Sequence, residues 1–314
     1  MKIYTDNSDI KTDKDKVVTV GTFDGVHQGH LNIIDLLISK TEEINGESIL
    51  ITFDPHPRTV VSGGFKNQLL TTLDEKIELM EKFGVDEVFV INFTKEFAQT
   101  TYEEFIKKII VDKVNAKYVV IGHDHKFGKD RNGNETKLRE LAEKMNFEVS
   151  AVEAKKVDGE VVSSTKIRKA LTEGRIKEAN IFLGWNYYFS GKVIKGAKRG
   201  RLLGFPTANI KLLDENKVIP KSGVYAVKCS LNNQIIFGVM NIGNRPTFND
   251  IDYIIIEVHL IDFNKFIYDE ILKIEFVERI RDEQKFESRE SLIEQITKDK
   301  NKAEEILSKL INPG

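Results

Sequence analysis

Val17-Val18-Thr19-Val20-Gly21-Thr22-Phe23-Asp24-Gly25-Val26-His27-Gln28-Gly29-His30 decides how the first half of this chain folds. The four residues 17–20 are all β-branched and predict a buried strand. Beyond the glycine-punctuated turn, Leu31, Ile34, Leu37 and Ile38 recur on one face of a helix. A strand that passes through such a turn into a helix sets the turn beside unpaired backbone N–H groups and the positive end of the helix dipole, so the expected ligand is a phosphate. Glycine there allows close approach of backbone to ligand. His27 and His30 stand three apart, where two imidazoles can stabilise charge developing on a phosphate. The same spacing also suits a solvent-facing pair or metal ligands, and the flanking glycines favour the phosphate reading. Neither G-x-G-x-x-G nor a P-loop occurs. The nearest approach, Gly122 to Gly128 with Lys129-Asp130, has the wrong spacing and no Ser/Thr for magnesium.

Working outward, strands are expected at 48–53, 87–91, 118–121 and 147–152, separated by helices near 74–83, 102–110 and 135–145. This alternation implies an α/β domain built on a parallel sheet, with ligands at the carboxyl ends of its strands. Two short helices follow, at 165–171 and 175–182. From Trp185 the rhythm changes to closely spaced strands at 187–194, 223–230, 234–240, 253–261 and 271–277 with Gly/Asn/Pro turns, which predicts an antiparallel barrel or sandwich. Residues 288–310 have a helical period and are expected to form one or two helices packed on that barrel. The change of period puts the domain boundary at Leu183/Gly184, giving domains 1–183 and 184–314.

Composition sets outer limits. The 314 residues are 40% hydrophobic and 31% charged, with a net charge of −2, which suits a soluble two-domain protein and excludes a strongly basic nucleic-acid binder. The polar, acidic start lacks the pattern of a secretory signal, and the longest apolar runs, such as 235–240, are far shorter than the roughly 18 residues of a membrane span. Cys229, the one cysteine, forms no intrachain disulfide. Cytoplasm is the expected location.

Three motifs in the first half carry a family resemblance. G-x-F-D-G-x-H-x-G-H at 21–30, Thr52-Phe53-Asp54-Pro55-His56-Pro57-Arg58 and Ser163-Ser164-Thr165-Lys166-Ile167-Arg168 resemble the nucleotidyltransferase module of the bacterial bifunctional riboflavin kinase/FAD synthetases. The resemblance implies a Rossmann-like nucleotidyltransferase domain that transfers the adenylyl group of ATP to FMN, with His27 and His30 stabilising the α-phosphate. It implies ATP contacts from Gly21, Phe23 and Gly29, and triphosphate contacts from Ser164, Thr165 and Arg168. Taken alone, Ser163-Ser164-Thr165 also reads as a helix cap. Gly122-His123-Asp124-His125-Lys126-Phe127-Gly128 is similar to a family loop in which Asp124 matches a nucleotide- or flavin-binding position, while His125 replaces the usual aromatic. His123 and His125 alternate on an extended segment but lack a second cluster of metal ligands. His56, between two prolines, suits either a flavin contact or a rigid loop element.

In the second half, Gly196-Ala197-Lys198-Arg199-Gly200-Arg201-Leu202-Leu203-Gly204-Phe205-Pro206-Thr207-Ala208-Asn209 combines mobile glycines, cations and a P-T-A-N core. Such a loop can cradle a polyphosphate, and the oxygens of Thr207 and Asn209, two apart on one extended face, can hold magnesium. A solvated basic hairpin is the alternative reading. The segment resembles the Mg-ATP motif of the family's riboflavin kinase barrel, as do 238–248, Ile256-Glu257-Val258-His259-Leu260 and Arg281-x-Glu283-x-Lys285-Phe286. The resemblance implies ATP binding at Gly196, Arg201, Gly204, Thr207 and Asn209, Mg2+ at Thr207 and Asn209, Glu257 as catalytic base, and flavin-side contacts from Arg245 and Arg281. Tyr268-Asp269 departs from the family's Tyr-Gly.

The expected ligands are thus riboflavin, FMN, FAD, ATP, ADP and pyrophosphate, with Mg2+ accompanying ATP and neither nucleic acid nor membrane as partner. A homo-oligomer is compatible with the sequence. Two rival readings are a class I aminoacyl-tRNA synthetase-like adenylating enzyme, which shares the H-x-G-H helix start, and a non-catalytic flavin-binding regulator.

Overall fold

Buried strands alternating with amphipathic helices fold the amino-terminal half around a parallel sheet, as the periodicity predicts. The computed structural model describes residues 1–10, 13–62, 68–123, 125–196, 200, 203–245 and 253–310. The chain divides into two units, Met1–Ser164 and Thr165–Gly314.

In the first unit the elements run β1 (Lys2–Tyr4), β2 (Lys16–Val20), α1 (Gln28–Glu43), β3 (Glu47–Asp54), α2 (Pro57–Val61), α3 (Leu73–Lys82), β4 (Glu87–Asn92), α4 (Tyr102–Phe105), β5 (Ala116–Gly122), α5 (Glu135–Met145), β6 (Glu148–Val152) and a small hairpin, β7 (Lys156–Val157) with β8 (Glu160–Val161). The six-stranded sheet has the order β1-β4-β3-β2-β5-β6, and every pairing in it is parallel. From β2 the chain winds outward through β3 to β4, then returns to the far side of β2 as β5 and continues to β6. The winding reverses between β2 and β5, and in open α/β sheets ligands bind at the carboxyl ends of the strands beside such a reversal.

Local packing follows the pattern of apolar residues. All of β2 is buried, and Ile34 and Leu37 bury the predicted face of α1. The helix expected over 102–110 begins as α4, capped reciprocally by Thr101 and Glu104, and widens into a π-helix over Ile106–Lys113 that keeps Ile106 and Ile110 in the core. Strand β1 lies in a stretch read as polar. It is three residues long and is held by its ladder to β4 and by Glu87, which accepts hydrogen bonds from Lys2 Nζ (3.3 Å) and Tyr4 Oη (3.2 Å). Beside it the fully buried Lys16 pairs with Glu47 at 2.7 Å and with Glu87. A buried ammonium without such partners would be costly. This ionic cluster pins the amino ends of the strands, leaving the carboxyl ends for ligands.

The second unit opens with α6 (Ser164–Thr172) and α7 (Ile176–Leu183) and continues through β9 (Tyr188–Ile194), β10 (Ala208–Leu212), β11 (Gly223–Leu231), β12 (Gln234–Arg245), β13 (Tyr253–Leu260), β14 (Ile271–Arg281) and α8 (Arg289–Ser308). The strands form a closed barrel in the order β10-β13-β12-β11-β14-β9, antiparallel throughout. Met240, Ile242, Ile256, Val258 and Ile210 point inward and are buried. On the outer face Ala226, Phe237, Val239, Val277 and Ile280 are covered by Ala303, Ile306 and Leu307 of α8. One continuous helix, capped at Ser288, fills the carboxyl-terminal segment.

One feature differs from the sequence expectation. The segment read as a loop to 209 enters a strand at Ala208, because β10 gains its order from ladders to β9 and β13 and not from its own apolar pattern. The helix pair α6–α7 falls in the second unit. Asn180 of α7 explains the grouping, since it donates to the Phe276 carbonyl at 2.9 Å and accepts from Tyr187 N–H at 2.8 Å.

Candidate active sites

The turn after β2 is built before any ligand arrives. Gly21 N–H donates to the Ile51 carbonyl at 3.0 Å, extending the sheet by one residue. The backbone then turns through left-handed conformations at Phe23 (φ 46°), Gly25 (88°) and Val26 (35°). For Phe23 and Val26 this is strained geometry, sustained because both side chains are buried in the core. Asp24 locks the turn: Oδ1 accepts from the N–H groups of Leu70 (2.9 Å) and Thr71 (3.1 Å), and Thr71 Oγ1 accepts from Gly25 N–H (3.0 Å). Ser164 Oγ donates to the Asp24 carbonyl at 2.9 Å, so this hydroxyl braces the same turn. Thr165 and Arg168 follow in α6.

His27 caps α1, its Nδ1 accepting from His30 N–H at 3.3 Å, which puts the ring proton on Nε2. Gly29 leaves room for this ring, as a Cβ there would stand 3.2 Å from it. The rings of His27 and His30 stack with centroids 3.6 Å apart, 13° from parallel, and Phe23 lies 4.9 Å from His30. His30 Nδ1 is buried without a hydrogen-bond partner. Burial, followed by the charges of His27 and Lys76, pushes the His30 pKa well below the ordinary 6.5, so the ring is neutral at neutral pH. Beneath the turn, Lys76 of α3 donates to Thr52 Oγ1 at 3.0 Å, and Thr52 in turn donates to the Thr22 carbonyl at 3.3 Å.

The remaining residues expected in this site are more scattered. His56 caps α2 at the carboxyl end of β3, Nδ1 accepting from Arg58 N–H at 3.2 Å. Asp124 lies outside the described residues. His123 is exposed after β5, with its N–H bonded to the Val152 carbonyl, and the His125 ring stacks on Phe127 at 5.6 Å. Phe127 continues an aromatic series, through Phe105 and Phe97 to Phe93 and Phe53, with neighbouring rings 5.6–6.3 Å apart. The motif reading missed this series because its members are spread along the chain from residue 53 to residue 127. Among the described residues no group of three or more His, Cys, Asp or Glu could hold a metal ion.

In the barrel, register assembles the second site. Asn209 of β10 stands opposite Glu257 of β13, and Glu257 stands opposite Asn241 of β12. Directly paired residues share a face, so the three polar side chains form one row on the outer face, between the inward-facing Ile210, Ile256, Val258, Met240 and Ile242. Asn241 was not singled out from the sequence, and a strand alignment alone could have found it. Gly196 makes room for this row: a Cβ there would stand 2.6 Å from Asn209 Oδ1 and closer still to the rest of the amide. Gly243 does the same for Glu283 and Asn241. The P-T-A-N turn is anchored by His259, whose Nδ1 donates to the Pro206 carbonyl at 2.8 Å and whose ring meets Phe205 edge-on at 5.5 Å. A Cβ on Gly200 would lie 3.1 Å from Thr207 Oγ1, and Gly204 adopts φ 88°.

Arg281 is a partner of α8: its Nε and Nη2 donate to the nearly buried Asp299 carboxylate at 2.9 and 2.7 Å. Arg201, with Lys198 and Arg199, lies outside the described residues, as does the Arg245 side chain. Cys229 is fully buried, and burial pushes its thiol far above the ordinary range, which makes it unreactive.

The family models for FAD synthetase and for riboflavin kinase match residues 9–166 and 183–307. The chain is 40% identical over 304 residues to a bifunctional riboflavin kinase/FMN adenylyltransferase of Listeria monocytogenes, covering 95% of each chain. It is 40% identical over 283 residues to the enzyme of that name from Haemophilus influenzae, covering 90% of this chain and 91% of the relative. A crystal structure described as a macrolide-efflux protein from Streptococcus pneumoniae superposes with a TM-score of 0.87 at 30% identity, covering 96% of this chain and 98% of the other. No helix among the described residues is long and apolar enough to cross a membrane. Matched in both halves and along nearly its whole length, the chain belongs to the bifunctional riboflavin kinase/FMN adenylyltransferase family.

Proposed function

We propose that this chain makes FMN and then FAD, with residues 184–314 phosphorylating riboflavin and residues 1–183 adenylylating the FMN so formed. In the first reaction the riboflavin 5′-hydroxyl oxygen bonds to the γ-phosphorus of ATP, the bond from that phosphorus to the bridging oxygen breaks, and ADP leaves. Glu257 accepts the hydroxyl proton. Its place in one row with Asn209 supports this role, because base and nucleotide-binding amide then face the same volume. Gly196, Arg201, Gly204, Thr207 and Asn209 bind the nucleotide, and Arg245 and Arg281 serve the flavin side. The pairing of Arg281 with Asp299 favours a positioning role for it. The Thr207 hydroxyl and Asn209 amide are hard oxygen donors of the kind Mg2+ takes together with substrate phosphates, and the room left by Gly196 supports that fit. When bound, Mg2+ would neutralise charge on the polyphosphate.

In the second reaction a phosphate oxygen of FMN bonds to the α-phosphorus of ATP, and pyrophosphate leaves. The observation that carries this reading is the stacked, desolvated His27–His30 pair at the amino end of α1. The neutral His30 ring and the Nε2–H of His27 supply N–H donors to the α-phosphate as its charge builds, in surroundings dry enough to strengthen them. Gly21, Phe23, Gly29, Ser164, Thr165 and Arg168 hold ATP. His56 and Asp124 contact FMN, and the aromatic series from Phe53 to Phe127 offers its ring system an apolar wall. Neither step needs a covalent enzyme intermediate. A lone reduced thiol and the use of ATP fit a cytoplasmic enzyme.

The test is one incubation with Mg-ATP and riboflavin, followed by chromatography. FMN should appear first and FAD second. No flavin product would refute the proposal, and amino-acid-dependent pyrophosphate exchange would favour the synthetase-like rival.

A further inference from the structure

The adenylyltransferase turn rests on a buried cation that no motif predicts. Lys76 is 5% exposed, on the inner face of α3. Its Nζ donates to Thr52 Oγ1 at 3.0 Å, and Thr52 donates onward to the Thr22 carbonyl, inside the Gly21–His30 motif. Its charge is felt by Asp24, by Asp54 and by His30. Asp24, itself 3% exposed, locks the turn through Leu70 and Thr71.

We infer that Lys76 is a positioning residue of FMN adenylylation: its ammonium offsets the carboxylates of Asp24 and Asp54 under the turn and anchors the motif through Thr52. The inference rests on the adenylyltransferase reading of this site. Without Lys76, two carboxylates would face an anionic nucleotide from under the turn, in surroundings where solvent screens them little. The charged groups that act on His30 are His27, at the start of α1, and Lys76 on α3, and Lys76 in turn feels the carboxylates of Asp24 and Asp54. At neutral pH Lys76 is a cation and opposes a positive charge on the imidazole. Burial lowers its own pKa to about 8, so the ammonium is retained at neutral pH and lost on the alkaline side.

The test uses the full chain, whose riboflavin kinase activity reports folding independently. In K76M, FAD formation from supplied FMN should fall at least about tenfold, roughly 1.4 kcal/mol, mainly through a higher KM for ATP, while FMN formation and the melting temperature stay near wild type. The His30 imidazole, followed by NMR and assigned with His30→Gln, should titrate at higher pH in K76M, and any alkaline limb of FAD synthesis near pH 8 should disappear. T52V keeps the cation and removes its anchor, and a smaller loss in the same direction is expected. It also serves if K76M does not fold. Wild-type FAD kinetics and an unmoved His30 titration in folded K76M, or unchanged kinetics in T52V, would overturn the inference. Absence of FAD synthesis by the wild-type chain would instead refute the adenylyltransferase reading itself.

Discussion

Replacing Gly196 by alanine should silence one activity of this chain and spare the other. The added Cβ would stand 2.6 Å from Asn209 Oδ1, whereas ordinary contact begins near 3.4 Å, so the amide must retreat by about 0.8 Å at that atom alone. Nothing in the backbone forbids alanine there, since Gly196 is not among the left-handed residues. The perturbation therefore falls on the position of Asn209, in register with Glu257. A displacement of about 1 Å in a positioned group costs up to roughly 100-fold in rate. We expect kcat/KM for riboflavin phosphorylation to fall about 30- to 100-fold, equivalent to ~2–3 kcal/mol of transition-state stabilisation. Asn209 is only half-buried, so the melting temperature should move little. Chromatography of FMN from riboflavin, and of FAD from supplied FMN, separates the two activities. Gly204→Ala is the companion variant: a Cβ there meets nothing within 4 Å, but φ is 88°, so its cost is backbone strain of about 1 kcal/mol. Wild-type riboflavin phosphorylation by Gly196→Ala would refute the placement of Asn209 at the nucleotide.

His30→Ala should abolish FAD formation while FMN formation continues, and loss of both products in a folded protein would contradict the assignment. Because the pKa of His30 is lowered in the folded chain, the unfolded chain binds the extra proton. Stability should therefore fall as pH drops below about 6.5, and melting curves of His30→Ala should show less of this acid sensitivity. Glu257→Ala or Asn209→Ala should do the reverse to activity, costing riboflavin phosphorylation about 100-fold or more with FAD synthesis from supplied FMN retained. Asp299→Ala strands the Arg281 guanidinium, which is one-fifth exposed, and should cost about 2–3 kcal/mol in denaturant unfolding of the barrel. An unchanged midpoint would show that the pair does not hold α8 to β14.

Much of the fold was legible because its segments satisfy their own periodicity. The run 17–20, the apolar face of α1 and the closely spaced, turn-punctuated runs that become β11 and β12 each reveal the element before any partner is known. Strands β1 and β10 did not show themselves, because each is short and is ordered by the neighbour to which it pairs. The contact of α7 with the barrel was hidden for a related reason: Asn180 binds the backbone of β14, nearly a hundred residues away. No local rule reports such a contact.

The sites divide in the same way. Glycine punctuation and imidazole spacing singled out His27 and His30 and made Thr207 and Asn209 candidates, while the choice of the latter pair over a solvated hairpin, and the role expected of Glu257, came from the family resemblance. Sequence by itself therefore determined the two-part architecture and the chemistry expected at each phosphate site. Only the tertiary structure decided which groups share a site and in what state. It stacks His27 on His30 and dries His30 enough to keep it neutral, aligns Asn209, Glu257 and Asn241 across three strands, commits Arg281 to Asp299, and brings Lys76 under a turn some fifty residues earlier in the chain. Burial, register and charge proximity are properties of packed segments, and they come into being only when distant parts of the chain exclude water together.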